Sequence, residues 1–215
     1  MESIMPGAVV PIPLTATPSS LATLRLDFGC GPNPREGFEG VDALPFDGKV
    51  KHVMNVVERI DLGKWSPWPW ADNSVVEAHS SHFIEHLDAV ERVHFVNELY
   101  RVLVPGGKCT IIVPHWASCR AYGDPQHKWP PVSEFWFYYL SREWRMGNPA
   151  KGLGANAPHT DKSNWPDGFD CDFDAVWGYG MHSDLLTRSQ PYQQFAMQFY
   201  KEAVSDIHAT LTCRK

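Results

Sequence analysis

The stretch that decides the fold is Leu24-Arg25-Leu26-Asp27-Phe28-Gly29-Cys30-Gly31-Pro32-Asn33, read together with Gly40-Val41-Asp42. Leu24 to Phe28 alternates apolar and polar side chains and ends at glycines, the pattern of a strand running into a turn. Glycines there let backbone approach a ligand, and an acid at the end of the next strand can accept hydrogen bonds from ribose hydroxyls. A lone Gly-x-Gly is equally a plain strand-to-loop turn. Asp42 closes a second short strand over Phe38–Asp42. The connection is short: a parallel crossover takes a dozen or more residues, and Pro32 and Pro34 oppose a helix. The spacing therefore predicts an extended loop over Pro32–Phe38 where a first helix would stand.

Outward from this core, Val50–Val57 reads as a third strand and Pro67-Trp68-Pro69-Trp70 as a loop. Asp72-Asn73-Ser74 is a turn into a strand over Val75–Ser80. The strongest helix runs from Asp88, a good N-cap type, to Leu103, with Ala89, Val93, Val96, Tyr100 and Leu103 on one face. Pro105-Gly106-Gly107 is expected to stop it as a Gly-rich C-cap, and Lys108–Val113 to form the next strand. Strand and helix thus alternate as in a parallel α/β sheet.

From His115 to about Asp174 the pattern fades into Pro, Gly, Trp and Tyr, with one short aromatic helix starting at Ser133. A loop-rich span of this length inside an α/β domain usually carries function. Residues 115–175 are therefore expected to form a substrate lid. Its aromatic stretch, Trp129 to Trp144, packs over the pocket in this reading, with a homodimer contact or plain core as alternatives. Ala203–Cys213, near period two, is a final strand. Residues 1–20, rich in Pro, Ser, Thr and Ala, read as a flexible N-terminal arm, which leaves 21–215 as one domain.

The chain has 215 residues and a formal net charge of -6, a balance that weighs against non-specific duplex binding by phosphate neutralisation. Cys30, Cys109, Cys119, Cys171 and Cys213 form no C-x-x-C pair and suit neither a zinc knuckle nor a disulfide framework. Reduced thiols in the cytoplasm are the simplest reading. No apolar run approaches the roughly 20 residues of a membrane span, and the N-terminus has no signal-peptide pattern.

Taken in order, Leu26 to Asn33, Gly40-Val41-Asp42, Asp72-Asn73-Ser74, His82-Phe83-Ile84-Glu85-His86-Leu87 and Glu98 to Gly107 resemble the successive motifs of class I S-adenosylmethionine (SAM)-dependent methyltransferases. The resemblance runs from about Leu24 to Pro114 and more loosely to Tyr139 and the last strand. One sub-group fits better than the rest. It passes from the glycine loop to the ribose acid without a full helix, and carries a stretch like Val113-Pro114-His115 followed by Asp124-Pro125-x-His127. That sub-group is associated with saccharides or cell-surface polymers. The resemblance implies a Rossmann-like α/β fold with a mostly parallel, seven-stranded-type sheet and an antiparallel last strand. It implies SAM as cofactor, held by Asp27, Phe28, Gly29, Cys30, Gly31, Asp42, Ala43, Asn55, Ser81 and His82. Asn55 stands where the family usually places an acid near the adenine.

Methyl transfer from a sulfonium is an in-line displacement in which the cofactor supplies the methyl group and the protein supplies position and electrostatics. A hydroxyl or amine acceptor must lose a proton, and histidine is the natural base near neutrality. His82 after the fourth strand, His115 after the fifth and His127 in the Asp124–His127 turn are the catalytic candidates. Glu85 and His86 read as fixing their loop. The spacing of His82 and His86 is not the H-E-x-x-H zinc signature, and no metal is expected.

The acceptor the resemblance implies is a small molecule or saccharide. Nucleic acid is not favoured: Ser80-Ser81-His82-Phe83 stands where amino-methylating DNA enzymes carry Asp/Asn-Pro-Pro-aromatic, and the chain has no Pro-Cys dipeptide. A non-catalytic SAM-binding module is the alternative to an enzyme. A Rossmann dehydrogenase wants a third glycine where Pro34 stands.

Overall fold

The computed structural model describes residues 23–61 and 64–215; the arm expected over residues 1–20 lies outside the described residues. In chain order the strands are β1 (Leu24–Phe28), β2 (Glu39–Asp42), β3 (His52–Val53), β4 (Arg59–Asp61), β5 (Lys64–Trp65), β6 (Val75–Ser81), β7 (Leu103–Pro114), β8 (Phe173–Met181) and β9 (Val204–Cys213). Seven of them form one sheet in the order β3-β2-β1-β6-β7-β9-β8, and β4 pairs with β5 separately. Neighbours from β3 to β7 are parallel, whereas β9 runs antiparallel to both β7 and β8. The fold is thus Rossmann-like α/β, mostly parallel, with the last strand reversed. Strand order switches direction between β1 and β6, the place where ligands bind in open α/β sheets.

Helix α1 (Ala89–Val102) begins as its sequence predicts. Asp88 Oδ1 accepts from the amides of Val90 (2.9 Å) and Glu91 (2.8 Å), and the Glu91 carboxylate accepts from the Asp88 amide at 2.7 Å, a reciprocal capping box. Its buried face differs from the expected one: Phe95, Val96, Leu99 and Val102 are fully buried, while Ala89 is exposed. The helix also ends earlier. Leu103 is already extended (φ -66°, ψ 140°) and pairs with Val75, while the next ladder pair is Glu77 with Lys108. Pro105-Gly106-Gly107 therefore forms an irregularity within β7 and does not cap α1. The physical reason is that pairing Leu103 with the sheet competes with one more helical turn and wins.

Strand β3 is shorter than the Val50–Val57 expected. After Val53 the Met54 amide donates to the Asp42 carbonyl (2.8 Å), and Asn55 Oδ1 accepts from the Val57 amide (3.1 Å), which turns the chain. The Pro32–Phe38 link is a run of turns without a helix.

The Trp-Pro-Trp loop is part of the core. Phe28 packs on Trp68 (centroids 4.7 Å) and on Phe95 of α1 (5.3 Å). Arg101 of α1 donates to the carbonyls of Trp68 (3.1 Å) and Trp70 (2.9 Å), which fixes the loop against the helix.

Between β7 and β8 lie α2 (Glu134–Tyr139), which starts where the sequence places it, and α3 (Arg142–Met146). Much of this segment is built into the domain. Asn97 of α1 holds Gly168 and Asp170 through backbone bonds of 3.0 and 2.8 Å. Arg145, fully buried, pairs with Asp161 at 2.8 Å and donates to the Cys171 carbonyl at 2.9 Å. Beyond β8 come α4 (Ser183–Leu186) and α5 (Gln190–Phe199).

Candidate functional site

The carboxyl ends of β1, β2, β6 and β7 converge on the switch point. Gly29 and Gly31 both take left-handed backbone, φ +65° and +56°. The Gly29 amide donates to the Val41 carbonyl at 2.8 Å, so the loop leans on β2 as it leaves β1. The Gly31 amide donates to Asp42 Oδ2 at 2.9 Å, and the Leu44 amide to Asp42 Oδ1 at 3.1 Å. A carboxylate has about four acceptor positions, so Asp42 retains capacity for a further donor.

Asp27 is occupied differently. It is buried; Oδ1 lies 2.7 Å from His79 Nδ1, and Oδ2 accepts from the Arg35 amide at 2.8 Å. It ties β1, β6 and the glycine loop together. The Phe28 ring is in the core, so Phe28 can offer a ligand only its backbone. Cys30 is half-buried; burial first, then the nearby Asp27 and Asp42, push its thiol up to about 11, so it stays protonated and its Sγ leans toward the Gly31 carbonyl (3.4 Å).

Gly29, Asp42, Ala43, Met54, Asn55 and Phe83 line a small cavity of about 50 Å³. A Cβ on Gly29 would fall 2.5 Å from the Phe83 ring, so only glycine fits at that position.

Ser81 ends β6, and His82 follows it with φ +52°, uncommon for a residue other than glycine. The His82 amide donates to the Ile112 carbonyl at 2.9 Å, which holds this turn to β7. Its exposed ring places Nδ1 3.3 Å from Glu85 Oε1. That carboxylate raises the His82 pKa, against the opposing effect of partial burial.

The turn at residues 82–87 is a wall between two clefts. Phe83 and Leu87 face the glycine-loop cavity. His82, Glu85 and His86 face a second cleft of about 470 Å³, completed by Cys119, Asp124 and His127. The rings of His86 and His127 meet at 4.7 Å between centroids, and His127 Nδ1 lies 3.2 Å from the Ala121 carbonyl.

The structure thus gathers His82 and His127 but places His115 elsewhere. His115 is buried, with Nε2 3.0 Å from Glu134 Oε1 and Nδ1 accepting from the Ala117 amide at 3.2 Å. Both ring nitrogens are engaged, which suits positioning of α2. Burial pushes the Glu134 carboxyl up, but the His115 bond and a backbone amide outweigh it and hold it at about 2.

Sequence reasoning read Glu85 and His86 only as loop supports; here they line the cleft. Arg92 went unnoticed in the helix pattern. It is buried, and its Nε donates to the Ile84 carbonyl (3.0 Å) and Nη1 to the Pro130 carbonyl (2.6 Å). Burial lowers its pKa to about 10, which leaves it cationic at neutral pH.

A larger cavity of about 740 Å³ lies to one side, lined by aromatics including Trp116, Trp129, Phe135 and Tyr200. The smaller cleft holds the clustered histidines and the buried carboxylate, so side-chain chemistry rather than volume locates the site.

The fold is shared with a SAM-dependent methyltransferase from Archaeoglobus fulgidus, 19 % identical over 90 % of this chain and 88 % of that one, with a TM-score of 0.57. An S-adenosylmethionine-dependent methyltransferase from Mesorhizobium loti is 16 % identical over 88 % of this chain and 90 % of its own, with a TM-score of 0.42. No protein-family model and no curated protein matches the chain.

Proposed function

We propose that this protein is a SAM-dependent methyltransferase acting on a hydroxyl or amine of a small molecule or saccharide-type acceptor. The observation that carries the reading is the pairing of Gly31 with Asp42 at the sheet's switch point, with a polar cleft directly across the turn at residues 82–87. The likeness to the Archaeoglobus protein supports the fold on which this rests.

The donor set fits the group. Asp42 accepts from ribose hydroxyls, and Gly29 to Gly31 let the ligand lie against backbone. Ala43 and Asn55 would hold the adenine, and Ser81 and His82 would stand toward the acceptor, while Asp27, Phe28 and Cys30 shape the loop. Ligand clefts usually enclose about 300–1,000 Å³, so the Phe83 side chain over the 50 Å³ cavity would have to shift to admit SAM. When bound, SAM supplies a methyl group on a sulfonium. His82 then takes the acceptor's proton, with Glu85 holding its ring. His127 lines the same cleft, His115 positions α2, and the first part of segment 115–175 forms the rim as a lid.

The charge of -6 keeps nucleic acid out of favour as acceptor. No helix among the described residues is long and apolar enough to cross a membrane. The free thiols suit a reducing compartment, so a cytoplasmic setting belongs to this proposal.

The test is incubation with methyl-labelled SAM and a panel of sugars, small amines and alcohols, nucleotides and DNA. Label on a sugar or small molecule supports the reading, and label on DNA moves the acceptor to nucleic acid. Tight SAM binding without transfer to any of them favours a non-catalytic module.

A further inference from the structure

The turn after β6 and the Asp124–His127 turn bring together three side chains whose meeting methyl transfer does not require. Glu85, His86 and His127 each present a ligand atom, and these atoms all lie within 4.8 Å of one another. We propose that they form a binding site for a divalent transition-metal ion, held by two imidazoles and one carboxylate.

Glu85 is 3 % exposed, and among the described residues its Oε2 has no hydrogen-bond partner. Its other oxygen is turned to His82. The Arg92 guanidinium is near enough to feel this carboxylate's charge but donates to the Ile84 and Pro130 carbonyls, so Oε2 keeps an unfilled acceptor position, costly when buried, that a metal ion can occupy. His127 is oriented for the same purpose. A carbonyl can only accept, so the 3.2 Å contact with Ala121 places the proton on Nδ1 and leaves the Nε2 lone pair free. Metal-bound histidines are fixed in this way, with the second nitrogen donating to a carbonyl or carboxylate.

The two ligand-bearing turns are joined by structure. The Lys128 amide donates to the Glu85 carbonyl at 2.8 Å. From α1, Arg92 donates to Ile84 on one turn (3.0 Å) and to Pro130 beyond the other (2.6 Å). His86 and His127 then meet edge to face, at 80°.

Two nitrogens and one oxygen suit Zn²⁺, Co²⁺ or Fe²⁺ better than Mg²⁺ or Ca²⁺, which prefer all-oxygen sets. Bonds of about 2.1 Å in tetrahedral geometry set donors about 3.4 Å apart, so loading draws the three inward by side-chain rotation. Three protein ligands leave a position open toward the 470 Å³ cleft, where water or an acceptor oxygen can enter. The assignment does not depend on the methyl-transfer reading.

The experiment is titration of the chelator-treated full chain with Co²⁺, followed by visible absorption and by equilibrium dialysis for stoichiometry. One equivalent is expected, with a Kd of about 10 µM or tighter. His86→Ala and His127→Ala should each weaken it by about 100-fold or more, while His159→Ala, at an exposed imidazole outside the cleft, binds as the wild type does. Circular dichroism identifies any variant that fails to fold; Glu85→Gln, close in shape, then provides the same comparison and should show the same loss. Wild-type protein that takes up no Co²⁺ at about 100 µM, ten times that Kd, overturns the proposal. So does undiminished binding in folded His86→Ala and His127→Ala. SAM affinity, measured separately on the same samples, keeps this result distinct from the test of methyl transfer.

Discussion

Gly31 donates its amide proton to Oδ2 of Asp42 at 2.9 Å. The loop after β1 is thereby latched to the end of β2. Asp27, bonded to both His79 and the Arg35 amide, anchors the other side of the loop. A ribose bound as proposed would meet an acid already held in place, with little ordering left to occur on binding.

The two loop glycines should respond differently to alanine. At Gly31 an added Cβ meets nothing within 4 Å, so only the left-handed backbone (φ +56°) is at stake; the expected cost is about 1–2 kcal/mol. At Gly29 the Cβ also strikes Phe83 at 2.5 Å, so the cost should be larger and coupled to that ring. A double-mutant cycle of Gly29→Ala with Phe83→Ala, read by urea unfolding, should show interaction energy. Strict additivity would rule out the close contact.

Arg145 and Asp161 are both buried and joined at 2.8 Å. Asp161→Ala leaves a guanidinium buried without its counter-charge, and breaking such pairs typically costs about 3–5 kcal/mol. The same unfolding measurement checks this. A loss under about 1 kcal/mol, the range of exposed pairs, means that the pair does not pin segment 115–172 as described.

Glu134 carries a pH signature. Its carboxyl sits at about 2 in the folded protein, below the ordinary 4.5. A depressed carboxyl contributes stability that is complete above the unfolded value and lost as pH falls through the folded one. The stability gap between wild type and Glu134→Gln should therefore shrink as pH falls between about 4.5 and 2. A gap that holds its size at the most acidic pH where both remain folded contradicts the His115–Glu134 assignment.

His82→Asn keeps a residue that tolerates left-handed backbone while removing the imidazole. Transfer to an acceptor whose proton must be removed should slow by about 10²–10⁴-fold. SAM should still bind, because the Gly31–Asp42 pair and the rest of the glycine loop are unchanged. Full-rate transfer in this variant assigns the base elsewhere.

The sequence carried the parts of the fold that local chemistry dictates. Asp88 and Glu91 built their capping box because N-cap and first-turn preferences act within one helical turn. Pro32 and Pro34 excluded a helix in the same local way. Leu103 went the other way because a pairing with distant Val75 decided it. Strand β8 was missed because Gly178, Gly180 and Asp174 dilute its pattern and Val176 on its outer face is exposed.

In the site, the glycine loop and Asp42 were legible from their order along the chain. The meeting of His86 with His127 was not, since it depends on Arg92 bridging two turns far apart in sequence. Nor were the pairs Asp27–His79 and Arg145–Asp161, because burial rather than spacing gives them their roles.

The most direct test of the central claim is calorimetry of the full chain with SAM and with NAD, repeated for Asp42→Ala. The substitution removes two hydrogen bonds, from Gly31 and Leu44, each worth about 1 kcal/mol, so the fold should survive with an unchanged circular dichroism spectrum. Wild-type protein should bind SAM with a Kd of about 10 µM or tighter and give no heat with NAD, and Asp42→Ala should give no measurable heat with SAM. Undiminished SAM binding in Asp42→Ala, or wild-type binding of NAD in place of SAM, contradicts the account.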